Sequence, residues 1–376
     1  NAFSDTAEYG KFVETDALVK DDSLHYLQRP PLGVVGGISP WNYPILLISG
    51  KIAPAIMYGN CTVVKPSELT PMTAYLLTDI IIESGLPAGV VNIVQGYGKD
   101  AGSPLVKHPK VRAISFTGGS QTGRIVASEA AINIKKIHLE LGGKNPTLVC
   151  DDCDMEETVK IVARAGFSNT GQICICGSRI FVHKKIAKEF VEKLKIECEN
   201  SYAAKIGNPL KSMYGSLISQ NHRKKVEGYI ELAKKEGGNI ITGGHRPKDL
   251  EEPYCNGAFY VPTIITGLDA VTSKCATEEI FGPIVTIHEW DDEKEVLQQI
   301  NRLEYGLSGS VWTQDIKKGH RLAQKIQSGM VWVNCWAPSG AGLRPFGGVK
   351  QSGNGRENGK YAYEFYTECK NICIKL

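Results

Sequence analysis

Val111-Arg-Ala-Ile-Ser-Phe116-Thr-Gly-Gly-Ser-Gln-Thr-Gly123, carried on through Ala130 to Lys135-Lys-Ile-His-Leu139, contains the pattern that decides the fold. It reads as a buried strand, a glycine-rich turn, a helix and a second strand. Two parallel strands need a crossover between them, and a helix is the usual one. The same alternation runs upstream. Gly33-Val-Val-Gly-Gly-Ile38 is a buried-type strand that turns at Ser39-Pro-Trp-Asn42 into an apolar helix from Pro44, a favourable first helical residue. Cys61–Lys65 is a β-branched strand, Thr70-Pro71 caps and starts a helix ending at Ser84-Gly85, and Val90–Val94 is the next strand. The expected class is α/β with a doubly wound parallel sheet, whose ligands bind beyond the carboxyl ends of its strands.

From Lys144 to about Phe346 a second α/β pattern follows. Its strands are Thr147–Cys150, Ser178–His183, one near Ile240, Ile284–Ile287 and Leu307–Trp312, and its long helices are Lys185–Ser201 and Gln220–Glu236. Leu24–Gln28 is a further strand. Tyr363–Leu376 alternates its side chains and reads as an exposed edge strand, which invites pairing with another chain.

Composition removes several classes of function. With 376 residues, 42% of them hydrophobic, the chain can bury large cores in two or three domains. No apolar run reaches the ~18 residues a membrane helix needs. The net charge of +3 is evenly spread and the densest basic run, His222-Arg-Lys-Lys225, is short, so nucleic-acid binding has no support. Eleven cysteines are scattered, with Cys150 and Cys153 the one Cys-x-x-Cys and no second pair to complete a zinc site; no metal is expected. They read as reduced thiols of a cytoplasmic protein.

The chemistry concentrates in Phe167-Ser-Asn-Thr-Gly-Gln-Ile-Cys174-Ile-Cys176-Gly-Ser. An amphipathic helix opens on Asp154-Met-Glu-Glu157, a capping-box pattern, and breaks at Asn169-Thr-Gly171. Cys174 therefore follows a turn whose backbone N–H groups can point at it and favour the thiolate. Taken alone it reads more readily as a small buried hydrophobe between Ile173 and Ile175. In Leu139-Glu140-Leu-Gly-Gly-Lys-Asn-Pro146, Gly142-Gly143 lets the backbone approach a ligand, and Glu140 sits in an apolar setting that raises its pKa, as a general base needs.

Glu-Leu-Gly-Gly-Lys followed by Gly-Gln-x-Cys resembles the aldehyde dehydrogenase superfamily. That resemblance implies aldehyde oxidation through a thiohemiacetal and a thioester on Cys174. Asn42 and the Cys174 N–H would stabilise the oxyanion, and Glu140 would activate the water. It also implies NAD as cofactor. The usual dinucleotide fingerprint G-x-G-x-x-G is absent, and Thr117-Gly118-Gly119-x-x-x-Gly123 stands for the family's phosphate loop, with Gly119 at its usual Ser. Lys65, Ser67 and Glu68 would meet the adenine ribose, Ile38, Pro40 and Trp41 would line the cofactor, and Gly142, Glu279 and Phe281 would lie at its nicotinamide half. Tyr43, Ile173, Ile175, Trp336 and Phe346 would contact the substrate.

The domains implied are 32–142 for NAD, with 347–361 returning to it, 143–346 for catalysis, and 13–31 with 362–376 as strands joining a homodimer or homotetramer. Relatives of this kind carry further residues ahead of Asn1, so the chain reads as a fragment or a shortened form. Cys174-Ile-Cys176, Val333-Asn-Cys-Trp336 and the terminal segment resemble 2-aminomuconic and 2-hydroxymuconic semialdehyde dehydrogenases, although Ala337-Pro-Ser339 replaces the run containing Arg that follows Trp336 there. A betaine or aminobutyraldehyde dehydrogenase is the enzyme alternative. A catalytically silent binding member is the alternative outside enzymes.

Overall fold

A computed structural model describes residues 2–11, 16–207, 214–338 and 344–376. The chain forms two compact units: Asn1–Leu141 with Ser339–Gly347 and Gly353–Leu376, and Gly142–Pro338 with Gly348–Ser352.

In the first unit a six-stranded sheet runs in the order Gly353–Asn354, Lys136–Glu140, Val111–Thr117, Val34–Ile38, Cys61–Lys65, Val91–Ile93. All its pairings are parallel except that of Gly353–Asn354, which runs antiparallel to the end of Lys136–Glu140. The order reverses direction at Val34–Ile38, flanked by the strands that come second and fourth in the parallel series. That reversal is a topological switch point, and the crevice it opens lies beyond Ile38 and Thr117, where such sheets bind ligands. Helix Pro44–Met57 packs Ile48 and Ile52 onto one face with Val64, Ala74 and Leu77, while Val111, Ile114, Val126 and Leu139 fill another cluster.

The second unit has a seven-stranded sheet: Asn239–Thr242, Thr263–Thr266, Ile284–Trp290, Arg179–His183, Pro146–Val149, Ser308–Trp312, Met330–Val333. It is parallel apart from the first strand. Its central strands Arg179–His183 and Ser308–Trp312 are buried at every residue, as strands covered on both faces are.

Several sequence expectations change. Tyr363–Leu376 is not one strand: Gly359–Tyr366 is a helix, and only Lys370–Lys375 is extended. The Tyr363, Phe365 and Tyr366 spacing that looks alternating is also compatible with a helix, and the helix places Ala362 and Tyr366 in a core with Val35 and Ala55. Lys370–Lys375 is nonetheless an edge, pairing antiparallel with Ser23–Gln28 in a three-stranded sheet completed by Ala17–Lys20. Residues 13–15 of the expected 13–31 element lie outside the described residues. The strands from Ala17 onward and the terminal strand group with the first unit, as does Phe346, whose N–H and carbonyl pair with Glu357 at 3.1 and 2.7 Å. Thr70 occupies the cap of helix Pro71–Glu83, but its hydroxyl makes no capping bond.

Candidate active site

Each unit holds its own share of the candidate residues. In the second, helix Met155–Phe167 is capped as its sequence demands, the Asp154 carboxylate accepting the Glu157 N–H at 3.1 Å. It ends in three successive left-handed residues, Asn169 (φ 50°), Thr170 (φ 58°) and Gly171 (φ 71°). Gly171 is suited to that region, but a β-branched Thr there is strained and persists only where its surroundings hold it. They do: Thr170 Oγ1 donates to Gly215 O at 3.0 Å. Gln172 Nε2 donates to Asn169 O at 3.1 Å, and its Oε1 accepts the Ile218 N–H at 2.9 Å. A Cβ on Gly171 would stand 2.1 Å from Gly282 O, so no other residue fits.

The chain then presents Cys174 partly exposed and buries Cys176, whose thiol burial pushes up to about 12. The turn is clamped from behind by Asn145. Its Nδ2 donates to Cys174 O at 2.7 Å and to Cys176 O at 2.8 Å, and its Oδ1 accepts the Ser308 N–H at 3.0 Å. Asn145 was quoted in the sequence only as part of a motif; its role depends on three contacts distant in the chain. Ile173 and Trp336 are buried together in one apolar cluster with Ala165 and Cys176, Ile175 is half-buried against it, and Trp336 Nε1 donates to Ile175 O at 3.0 Å. Of the expected substrate residues of this unit, Ile173 and Trp336 therefore also serve as core beneath the thiol.

Gly142 passes so close to Glu279 that a Cβ would meet its carboxylate at 2.1 Å, and Glu279 Oε1 accepts the Gly143 N–H at 2.9 Å. Burial raises the Glu279 carboxyl above its ordinary value. Phe281 holds a positive φ of 59°, its carbonyl accepting from His222 Nε2 at 2.7 Å. Lys144, buried and donating to Cys275 O at 2.8 Å, is pulled down to about 7 by desolvation.

In the first unit, Ile38 closes its strand and Ser39, Pro40 and Trp41 lead to Asn42. The helix cap falls on Tyr43, whose side chain makes no capping bond. Past Thr117, Gly118 lies over the Phe116 ring, where a Cβ would come within 2.6 Å, and Gly123 lies on Leu141 at 2.5 Å. Gly119 has open space and extended backbone (φ −71°, ψ 146°) at the cap of helix Ser120–Ala131. The helix thus opens at the switch point on a residue with no side chain to cap it, a favourable place for a phosphate. Lys65 is buried, donating to Pro66 O at 2.7 Å and Gly96 O at 2.9 Å, with Glu68 Oε2 at 3.4 Å. Ser67 is buried beside it and Glu68 is exposed. These residues fit a dinucleotide: glycines that leave room for backbone approach, a helix start for the phosphates and a carboxylate past a strand end for a ribose.

Glu140 ends the Lys136–Glu140 strand and is 3% exposed. Burial, reinforced by the Glu357 carboxylate, raises its carboxyl well above the usual range, against the opposing charges of Lys51 and Arg356. Gly347, at φ 150°, lies so near that a Cβ would strike Glu140 Oε1 at 2.4 Å. Lys51 was not singled out in the sequence; the available signal was a lone lysine within a largely apolar helix.

Residues 1–372 match the model of the aldehyde dehydrogenase family. The chain belongs to the aldehyde dehydrogenase family. This aldehyde dehydrogenase is 45% identical over 353 residues to 2-aminomuconic semialdehyde dehydrogenase of Danio rerio, and 46% identical over 358 residues to 2-hydroxymuconic semialdehyde dehydrogenase of Pseudomonas putida. Each alignment covers 94% of this chain and 72% of the relative. Among solved structures it is similar to betaine aldehyde dehydrogenase of Staphylococcus aureus in complex with NAD+, with a TM-score of 0.94 at 38% identity, covering all of this chain and 74% of that one. As a member of this family, the dehydrogenase oxidises an aldehyde with a nicotinamide dinucleotide. Among the described residues no helix is long and apolar enough to cross a membrane.

Proposed function

We propose that the dehydrogenase oxidises a muconic-type semialdehyde to the acid with NAD, through Cys174. The observation that carries the choice of thiol is the difference between two cysteines two residues apart. Cys174 is partly exposed on a clamped turn, whereas Cys176 is buried and held neutral. Cys174 Sγ attacks the aldehyde carbon, forming a C–S bond and turning a flat carbon into a tetrahedral alkoxide. The Asn42 amide and the Cys174 N–H donate to that oxygen. NAD supplies the hydride acceptor. The carbonyl reforms as a thioester; Glu140 then takes a proton from water as its oxygen attacks, and the C–S bond breaks to return the thiolate.

The cofactor lies, on this reading, in the crevice beyond Ile38 and Thr117, with its phosphates toward the start of helix Ser120–Ala131. Glu68 would hold its adenine ribose and Glu279 its nicotinamide ribose. Support for the substrate is the likeness to proteins named for aminomuconic and hydroxymuconic semialdehydes, at higher identity than the likeness to the betaine aldehyde dehydrogenase structure. The betaine alternative keeps the same chemistry on a cationic substrate. The edge strand Lys370–Lys375 is the surface through which copies of the chain would pair. Measuring kcat/KM for 2-hydroxymuconic semialdehyde and betaine aldehyde tests the substrate: a ratio favouring betaine aldehyde overturns it.

A further inference from the structure

Cys174 sits in a turn whose carbonyl groups are all held. The Cys176 N–H donates to Ile173 O at 3.1 Å, closing a four-residue turn with Cys174 and Ile175 at its centre. Neither central residue has a positive φ, which leaves the type I turn, whose two central residues are near-helical. In near-helical backbone the peptide units are aligned, with N–H groups toward one end and carbonyls toward the other. On the carbonyl side, the Asn145 amide donates to Cys174 O at 2.7 Å and to Cys176 O at 2.8 Å, and Trp336 Nε1 donates to Ile175 O at 3.0 Å. Asn145 is itself fixed by the sheet. Its Oδ1 accepts the N–H of Ser308, which opens one neighbour of strand Pro146–Val149, and its backbone oxygen accepts the N–H of Arg179, which opens the other.

The N–H side of the turn is different. A trans peptide points its N–H opposite to its C=O. Asn145 is 3% exposed, so with Cys174 O drawn toward it the Ile175 N–H points away from that buried amide. It emerges beside the thiol, because Ile175 N is bonded to the carbonyl carbon of Cys174. Among the described residues the Ile175 N–H has no hydrogen-bond partner. Backbone donors in folded proteins are seldom left without one, and here every carbonyl of the same turn is matched, so the unmatched N–H is a group open to a ligand.

We propose that the Ile175 N–H is a further donor to the oxyanion formed at Cys174, and that Asn145 is the positioning residue that aims it. The proposal rests on Cys174 as the nucleophile. As Sγ bonds the aldehyde carbon, the π pair of the C=O bond moves onto oxygen. The Cys174 and Ile175 N–H groups, side by side on aligned peptides, donate to that oxygen without giving up a proton. When hydride leaves with its electron pair for the dinucleotide, the oxygen pair re-forms the carbonyl. The same donors meet the second oxyanion as water attacks the thioester. In hydrolases of unrelated fold the N–H of the residue after the nucleophile does the same work, for the same reason: it is covalently next to the attacking residue.

The test replaces the amide of Ile175 by an ester, through incorporation of the α-hydroxy acid analogue of isoleucine, which removes the N–H and keeps the side chain. Asn145→Asp is its companion: it keeps an acceptor for the Ser308 N–H but has no amide protons for the two carbonyls. First-turnover NADH formation, KM for the aldehyde, inactivation by iodoacetamide and melting temperature are measured for both. The ester should slow first-turnover NADH formation by about 10–100-fold. Its KM, iodoacetamide inactivation and melting temperature should stay near those of the wild type, because displacement of iodide forms no oxyanion and the N–H removed bonds nothing among the described residues. Asn145→Asp should slow NADH formation to a similar extent. A wild-type first turnover in the ester overturns the proposal. So does a parallel loss of iodoacetamide reactivity, which would assign the N–H to the thiolate. A slowed ester beside a wild-type rate in Asn145→Asp overturns the positioning role of Asn145. First-turnover NADH from Cys174→Ala would instead overturn the choice of thiol.

Discussion

Cys174 and Glu140, the proposed nucleophile and base, are set up by opposite means. Cys174 is presented by backbone: three left-handed residues, the Gln172 side chain and the Asn145 amide hold a turn that leaves the thiol partly exposed. Glu140 is regular strand, and its character comes from what surrounds it, a sealed face bearing His138, Lys51 and Glu357. A nucleophile must meet its substrate, so geometry and access decide it. A base must hold and release a proton, so burial and neighbouring charge decide it.

The largest expected effect breaks the first half of that contrast. Cys174→Ala should lower aldehyde oxidation by roughly a thousandfold or more, while Cys176→Ala should keep most activity and cost about 1 kcal/mol of stability. Activity assays and thermal melts measure both; equal losses of activity would mean that presentation does not separate the two thiols.

Next comes the base. Glu140→Gln should leave a stoichiometric burst of NADH and slow turnover by roughly 10²–10⁴-fold, with a thioester detectable by intact mass. Only the carboxylate form of Glu140 accepts the water proton. In the wild type, turnover should therefore be lost as pH falls through a value above that of an ordinary carboxylate, the direction its burial imposes. An acid limb in the ordinary carboxylate range would mean that the sealed face does not tune Glu140.

Cofactor preference is a smaller effect, because Glu68 lies at an exposed edge. Its side chain is 42% exposed and has the Lys65 ammonium at 3.4 Å, so its repulsion of a 2′-phosphate is partly screened. NAD should be favoured over NADP by about tenfold in kcat/KM, and Glu68→Gln should narrow that ratio mainly by improving NADP. An unchanged ratio in the variant would remove Glu68 from the ribose.

The smallest effect is at Gly119. The cap position has extended backbone and open space, so Gly119→Ser should fit and stabilise helix Ser120–Ala131 by a few tenths of a kcal/mol. A melting-temperature rise together with a lower KM for NAD is expected; a raised KM would place the phosphates elsewhere.

The alternation of apolar runs with glycine turns was legible as a doubly wound sheet because parallel strands buried on both faces must be apolar and must be joined by crossovers. The helix ending at Asn169-Thr-Gly171 was legible for a local reason too, since capping and breaking signals act within a few residues. The terminal segment was misread in part: its aromatic spacing satisfies two periodicities, and packing of Ala362 and Tyr366 chose the helix. Contacts distant in the sequence also stayed hidden. The Asn145 clamp reaches from Cys174 to Ser308, and the lysine and glutamate at 3.1 Å are 306 residues apart. Sequence alone therefore determined the fold class and the residue types able to carry thiol and acid–base chemistry, because those follow from local pattern and side-chain chemistry. Tertiary structure decided which cysteine is buried and how far the Glu140 carboxyl is raised, because desolvation and Coulomb interactions depend on distances that the order of residues does not state.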